Sequence, residues 1–234
     1  MTTTRLKTAA AFACLILGSS ALAADNYNPK IDPAEFSNII TNPLFTLPAG
    51  KALVYEAKTG DGVERIEIRI RDETRAIMGV NTIVYNDRVF LDGQLHEETN
   101  DYLAQDKDGN VWYFGEEVDN YENGKFKDHH GAWIAGVDGA LPGIWIKGKQ
   151  VVGDEYRQEY YKGEAEDMAK VIAVDETVVV PAGTFEHCTK VREWTPLEPD
   201  VSAHKFYCPQ VGAQVLEEEL AGNVRVELIS IGVR

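Results

Sequence analysis

Positive charge is scarce in this sequence. Its 234 residues include 23 Lys and Arg against 38 Asp and Glu, which gives a formal net charge of −15 at pH 7. A chain with this balance repels the phosphates of nucleic acid and the anionic surface of a membrane. We therefore expect neither as a partner. The charge is compatible with binding cations, although most surface carboxylates serve only solubility.

Long apolar runs are missing as well. The most apolar stretch, residues 8–20, is too short to cross a bilayer as a helix. It follows Arg5 and Lys7 and precedes a small-x-small triplet ending at Ala23, which is the pattern of an export signal. We predict that residues 1–23 are a cleaved signal peptide and that the mature chain is periplasmic or secreted. Cleavage lowers the formal net charge from −15 to −17, because it removes two positive residues and no negative ones.

Cysteine is rare, with three in the whole chain. Cys14 lies inside the predicted signal, where a lipid anchor is an alternative. Cys188 and Cys208 remain in an oxidising compartment, which predicts a disulfide between them. Their flanks, "HCTKVREW" and "SAHKFYC", are strand-like, and a hairpin centred on Glu198 sets the two cysteines opposite each other. The bridge would contribute about 3 kcal/mol in the chain-entropy model. A thiolate metal site is the weaker alternative, because there is no CxxC.

Catalytic motifs are also missing. The sequence contains no GxSxG, no HExxH and no phosphate-binding loop. None of the histidines has zinc-ligand spacing to another. They are His96, His129, His130, His187 and His204. We therefore assign no catalytic residue, and an enzymatic function is not favoured.

Strand patterns dominate from residue 51 onward. "VERIEIRIR" alternates strictly, with isoleucines on one face and charged residues on the other. Similar segments recur about every ten residues, separated by Gly, Pro, Asp or Asn. Residues 51–234 are therefore predicted to be mainly β, an antiparallel meander that forms an open or half-closed barrel-like sheet. The glycine-rich link 136–153 is a candidate subdivision.

The segment before the sheet, residues 24–50, reads differently. Asp32 is a good cap for a short helix that starts at Pro33. We expect Ile39 and Ile40 on the inner side of this N-terminal helical segment.

The stretch "DKDGN" raises the question of a calcium loop. Asp106, Asp108 and Asn110 alternate as the first ligands of such a loop do, but Val111 stands where an EF-hand requires glycine. An Asp-Gly pair between strand-like flanks is a strong hairpin signal. We predict a hairpin turn, with Glu117 at a strand end rather than over an ion.

Two acidic clusters are the candidate metal sites. Carboxylates on a strand and beyond a glycine turn can converge on one hard cation such as calcium, which prefers oxygen ligands. A structural row of ion pairs and a general acid-base pair are the alternatives. The predicted ligands are Glu155, Glu159, Glu166 and Asp167, with contributions from Asp138 or from His96 and Glu97.

Tryptophan and tyrosine crowd the middle of the chain. Such residues are typical of a core, but they also line cavities for apolar ligands. A sheet cupped around them would suit a small apolar or lipid-like molecule.

One part of the chain resembles a known pattern. "VPAGTFEHCTKV", followed by "EWTPLEPDVSAHKFYCPQVGAQVLEEE", is similar to VPAGTFxxC…YxPxVGxV, found in an uncharacterised family of exported bacterial β-rich proteins. "EYYKGEAEDMAKV" and "DKDGNVWYFGE" look like parts of the same group. The resemblance covers about half of the chain. It implies an antiparallel, half-barrel sheet and no catalytic residues to carry over.

Within this pattern, Pro181 and Gly183 make a turn and Phe185 anchors it in the core. Gly212 allows a bend or bulge. Cys208 stands where the family pattern has a small residue, so the resemblance implies that the disulfide is a local addition.

These observations favour an exported soluble binding protein that holds a hard metal cation, of calcium or lanthanide type, through clustered carboxylates. The alternatives are a carrier of a small apolar or lipid-like ligand in the cupped sheet, a carboxylate-based hydrolase, and a structural envelope protein.

Overall fold

The computed structural model describes residues 27–233. The predicted signal peptide, its cleavage site and Cys14 lie outside this range. Within it, the regular structure consists of one 3-10 turn, Pro33–Glu35, and sixteen strands. The strands are β1 Phe36–Ser37, β2 Lys51–Lys58, β3 Val63–Ile77, β4 Val80–Leu91, β5 Gln94–Asp106, β6 Val111–Glu122, β7 Lys125–Asp128, β8 Trp133–Ile134, β9 Leu141–Ile146, β10 Glu155–Arg157, β11 Glu159–Tyr160, β12 Met168–Val180, β13 Gly183–Trp194, β14 Ser202–Cys208, β15 Ala213–Glu219 and β16 Val224–Val233.

The strands form one antiparallel sheet that almost closes on itself. Its main path runs β10-β12-β13-β14-β15-β16-β2-β3-β4-β5-β6-β9-β11. The two ends of this path, β10 and β11, are separated in the chain by a single residue, Gln158. The sheet must therefore curl until its ends meet, which makes a nearly closed barrel. The predicted mainly β, antiparallel, barrel-like architecture is confirmed.

Alternation along the strands separates the inside of the barrel from the outside. In β3 the side chains of Ile66, Ile68 and Ile70 are buried, while the charged residues between them are exposed or partly exposed. The core that they join also contains residues from both sides of the link 136–153. Part of that link is strand β9, which pairs with β6 and β11. The domain boundaries drawn from the sequence stay predictions.

The prediction of an N-terminal helical segment is wrong. The side chain of Asp32 does accept a hydrogen bond from the backbone N–H of Ala34 at 3.0 Å, but the turn ends at Glu35. The described residues contain no α-helix. Phe36 instead pairs with β5, because extended backbone satisfies the edge of that strand. Of the two isoleucines expected on the inner side, Ile39 is 70% exposed and Ile40 is buried.

Residues 40–50, here called the plug, enter the barrel. Phe45 is buried, and its ring stacks on Trp145 at 5.5 Å and contacts Tyr85 and Tyr207 at 6.0 and 5.9 Å. These partners lie on β9, β4 and β14, which are far apart in the sheet order. One ring can reach all three only from the interior. The plug therefore supplies part of the barrel core.

A buried lysine holds the plug in place. The ammonium group of Lys51 donates to the carbonyl oxygens of Thr46, Val211 and Gly212 at 2.6, 2.8 and 2.8 Å. The backbone N–H of Thr46 also donates to the oxygen of Gly212 at 2.8 Å. Gly212 lies in the turn between β14 and β15 rather than in a bulge, and has a φ of 61°.

The hairpin of β13 and β14 carries the disulfide. Cys188 and Cys208 are bonded and fully buried. Arg192 pairs with His204, which is the register of a hairpin centred on Glu198. The predicted bridge and register are confirmed.

The "DKDGN" stretch is the turn between β5 and β6, as predicted. The carboxylate of Asp106 accepts from the backbone N–H groups of Asp108 and Asn110, both at 2.9 Å, and from the indole N–H of Trp112 at 2.8 Å. Its oxygens therefore stabilise the turn. Glu117 lies inside β6 rather than at a strand end, and it contacts Arg75 at 2.5 Å.

Candidate ligand-binding groove

We call the place where the two ends of the sheet, β10 and β11, meet the seam of the barrel. Two of the predicted cation ligands have protein partners near it. Glu155 in β10 contacts the ammonium group of Lys170 at 3.3 Å. Glu166 accepts a hydrogen bond from the backbone N–H of Gly163 at 2.8 Å, within the turn after β11. The first contact is an ion pair, which fits the alternative that these carboxylates belong to a structural row of ion pairs.

Glu159 and Asp167 lie beside them in the seam. The backbone oxygen of Asp167 accepts from the N–H groups of Gln158 and Glu159 at 2.8 and 3.3 Å. The side chain of Glu159 is near enough to Tyr113, inside the barrel, to raise the pKa of that phenol.

The other predicted ligands belong to other elements of the fold. Asp138 is exposed in the turn after β8. His96 and Glu97 are neighbours on β5, and Glu97 accepts from the hydroxyl of Thr99 at 2.8 Å. Among residues 27–233, no group of three or more His, Cys, Asp or Glu side chains is arranged to hold a metal ion. The cation site stays a prediction.

The interior of the barrel holds a polar cluster that the sequence did not reveal. Asp101 on β5 and Glu116 on β6 are directly opposite each other and both are buried. The hydroxyl of Tyr113 donates to Asp101, and its ring packs against Trp133 at 5.2 Å. Burial, and then the charges of Asp101 and Glu116, raise the pKa of Tyr113 well above its usual value. A carboxyl pair exists, but it lies inside the core.

A second buried carboxylate is fully engaged. Glu193 contacts the ammonium group of Lys205 at 2.6 Å and accepts from the side-chain amide of Gln158 at 3.0 Å and the hydroxyl of Tyr207 at 3.2 Å. These contacts tie β13 and β14 to the seam. They give Glu193 a structural role.

The outside of the barrel carries a different kind of site. A groove of about 680 Å³ runs over β16, β2, β3 and β4. Four arginines are among the residues that line it, and we call it the arginine groove. They are Arg65, Arg69, Arg71 and Arg88.

The register explains why there is space beside these arginines. Gly232 on β16 is opposite Ala52 on β2, which is opposite Arg69 on β3. Two residues further along β2, on the same outward face, Val54 is opposite Ser230 on β16. Small side chains on two neighbouring strands leave a depression, and long guanidinium side chains border it.

Two of the four arginines are in ion pairs. Arg65 contacts Glu56 at 3.1 Å and Glu67 at 3.0 Å, and Arg71 contacts Glu98 at 3.0 Å. The lining also includes two exposed carboxylates on β3 beyond Arg71, Asp72 and Glu73. The groove is therefore a region of balanced charge on an acidic protein.

Arg88 is placed between carboxylates that bind elsewhere. It is directly opposite Glu67 on β3 and Glu98 on β5, yet these bind Arg65 and Arg71. Its guanidinium lies 4.9 Å from the centre of the Phe90 ring. Its buried Nε has no hydrogen-bond partner among the described residues.

Arg69, like Arg88, is not held by a carboxylate of the described residues. It is exposed, and it makes no ion pair within the part of the chain that the structure describes. Its partner across the sheet is the neutral Asn86. Arg69 and Arg88 therefore border the groove without an ion-pair partner among the described residues.

Only part of this site could be predicted from the sequence. The alternation in β3 predicts that Arg69 and Arg71 share an outward face. It does not indicate that Arg88 borders the same face, nor that Ser230 and Gly232 make room beside it. Those relations depend on strand pairing between distant segments.

Comparisons with known proteins give no assignment. No family model matches the chain, and no curated protein matches it. Similar solved structures include a protein provisionally described as a lipoprotein, from Parabacteroides distasonis, at 14% identity and a TM-score of 0.44, covering 81% of this chain and 98% of that one. Another is a β-barrel-like protein of the domain of unknown function DUF1849, from Brucella abortus, at 11% identity and a TM-score of 0.42, covering 80% and 99%.

No helix within residues 27–233 is long and apolar enough to cross a bilayer.

Proposed function

We propose that this chain is a binding protein and that its arginine groove holds an anionic ligand. The observation that carries the proposal is that Arg69 and Arg88 both border the groove and make no ion pair among residues 27–233, although two carboxylates flank Arg88 in the sheet. A guanidinium group always carries its charge, so each of these side chains has hydrogen-bond donors that an anion can use.

The chemistry of the groove fits a carboxylate or a phosphate. A guanidinium group presents a planar set of donors that matches both anions with paired hydrogen bonds. Arg69 and Arg88 are diagonal neighbours on the outer face of the paired strands β3 and β4. Their backbones are about 7–8 Å apart. One small anion can therefore contact both side chains.

The surrounding charge shapes how such a ligand binds. The net charge of the chain repels anions at long range, so the groove gains no electrostatic steering. Affinity must come from short-range contacts inside the groove. We therefore expect slow association and a binding constant that is less sensitive to salt than that of a basic protein.

The interior gives weaker support to the carrier and hydrolase alternatives. The aromatic side chains there pack against one another, and Phe45 of the plug lies among them. The carboxyl pair Asp101 and Glu116 is buried in the same interior. A ligand or substrate would have to displace the plug to reach either.

The test of anion binding uses inorganic phosphate as the probe. Titration followed by backbone amide chemical shifts should locate phosphate on β3 and β4. Arg69→Gln combined with Arg88→Gln should weaken binding at least tenfold, since two charged hydrogen-bonding groups are lost. Arg192→Gln is the matched control, because Arg192 lies 5.3 Å from the Trp194 ring as Arg88 does over Phe90. Equal phosphate affinity in the double variant and the control would refute the proposal.

The predicted cation site has its own test. The melting temperature of chelator-treated protein is measured with calcium, a lanthanide, zinc and magnesium in turn. A ligand that binds only the folded state raises stability by about 2.7 kcal/mol at a hundredfold excess over its dissociation constant. A rise that Glu159→Gln with Glu166→Gln abolishes would establish the site, and no rise with any of these ions would remove it.

A further inference from the structure

An apolar depression adjoins the arginine groove. It has a volume of about 480 Å³ and shares Arg65 and Glu67 with the groove. Its apolar lining comes from Val63 on β3 and Phe90 on β4, and Gly93 borders it. Val63 is 47% exposed.

The two depressions form one continuous path along the strands. The outward positions of β3 run from Arg69 through Glu67 and Arg65 to Val63, and those of β4 run from Arg88 to Phe90. Guanidinium groups therefore stand at one end and apolar side chains at the other. The row of Arg88 and the row of Val63 are four residues apart on β3, which is about 13 Å.

Two hydrogen bonds join Val63 and Asp92 at the border of the apolar depression. Val63 and Asp92 exchange hydrogen bonds, from Val63 N–H to the Asp92 carboxylate at 2.9 Å and from Asp92 N–H to the Val63 oxygen at 2.9 Å. A Cβ added at Gly93 would meet nothing within 4 Å, so the space beside it is free.

The carboxylates that border this depression have partners of their own. Glu56 and Glu67 contact Arg65, and Asp92 accepts from the backbone of Val63. These contacts hold the charged atoms at the border. The apolar surface of Val63 and Phe90 remains for a ligand.

We propose that the ligand of the arginine groove is an anionic amphiphile, with its head on Arg69 and Arg88 and its apolar tail over Phe90 and Val63. This inference rests on the anion site proposed above. The stacking of Arg88 on Phe90 joins the two parts, because the same side chain borders the head site and covers the start of the tail site.

The experiment compares inorganic phosphate with butyl, hexyl and octyl phosphate, each below its aggregation concentration. Isothermal titration should give an affinity that rises at least twofold for each added methylene, since apolar surface leaves water. Val63→Gln should remove most of this gain and leave inorganic phosphate binding unchanged. Val179→Gln is the control, because Val179 is an exposed strand valine on β12, at 66% exposure. It should retain the full gain.

The outcomes separate the two proposals. Affinity that does not depend on chain length, with phosphate binding still lost in the arginine double variant, overturns the amphiphile and leaves the anion site. Octyl phosphate that binds the double variant as tightly as the wild type overturns the anion site itself. Octyltrimethylammonium that binds as tightly as octyl phosphate shows that the head need not be anionic, which also overturns the amphiphile proposed here.

Discussion

The ammonium group of Lys51 donates a hydrogen bond to the carbonyl oxygen of Gly212 at 2.8 Å, across 161 positions of the chain. The same oxygen accepts from the N–H of Thr46. A Cβ at position 212 would lie 3.0 Å from the Cβ of Thr46. Gly212 therefore allows the plug to approach the turn closely, and it also adopts the positive φ of that turn.

Replacing Lys51 should loosen the plug. Lys51→Met keeps an unbranched side chain of similar length but leaves the oxygens of Thr46 and Val211 without their charged donor. We expect the free energy of unfolding to fall by about 2 kcal/mol, because hydrogen bonds to charged groups are strong and a buried acceptor loses its partner. Urea denaturation measures the change. Lys58→Met, at the exposed end of the same strand, should have little effect, and equal losses in both variants would contradict the proposed role.

The same lysine makes stability depend on pH. Burial lowers the pKa of Lys51 to about 8, from an ordinary value of 10.5. Between these values the unfolded chain binds more protons at this position than the folded chain, so the free energy of unfolding rises with pH. Relative to Lys51→Met, the wild type should gain about 2 kcal/mol between pH 8 and pH 10. Denaturation at several pH values measures the difference between the two proteins. A difference that stays constant over this range would show that the pKa is not lowered.

Closure of the barrel depends on a glycine at the seam. A Cβ at Gly143 in β9 would lie 2.2 Å from the carbonyl oxygen of Gln158. Gly143→Ala must therefore push β9 away from the chain that joins β10 and β11, at a cost of about 2 kcal/mol. Gly60→Ala is the control, because a Cβ there meets nothing within 4 Å. Hydrogen exchange of the β9 and β11 amides should accelerate in the first variant only, and unchanged protection would contradict the close approach.

Local patterns in the sequence determined the strands and the disulfide. Alternation in β3 specifies which side chains face inward, because a strand turns successive residues to opposite faces. The bridge between Cys188 and Cys208 could be predicted because the register of a hairpin follows from the position of its turn. Both relations involve residues that are close along the chain.

The N-terminal segment shows where local reasoning fails. Asp32 caps a turn as the sequence predicts, but Phe36 leaves it to pair with Asp106 on β5. Helix propensity is a weak preference that tertiary contacts override. Ile39, two residues after that pairing, lies at the surface.

Tertiary structure alone decided the plug and the groove. Lys51 reaches Val211 and Gly212, and Ser230 pairs with Val54, only because the last strand of the chain lies beside β2. The sequence by itself established an acidic, strand-rich chain with one disulfide and a row of outward arginines. Which arginine is left without a carboxylate depends on the registers of β3, β4 and β5 together. A periodic pattern determines the face of each residue, but the pairing of distant strands determines its neighbours.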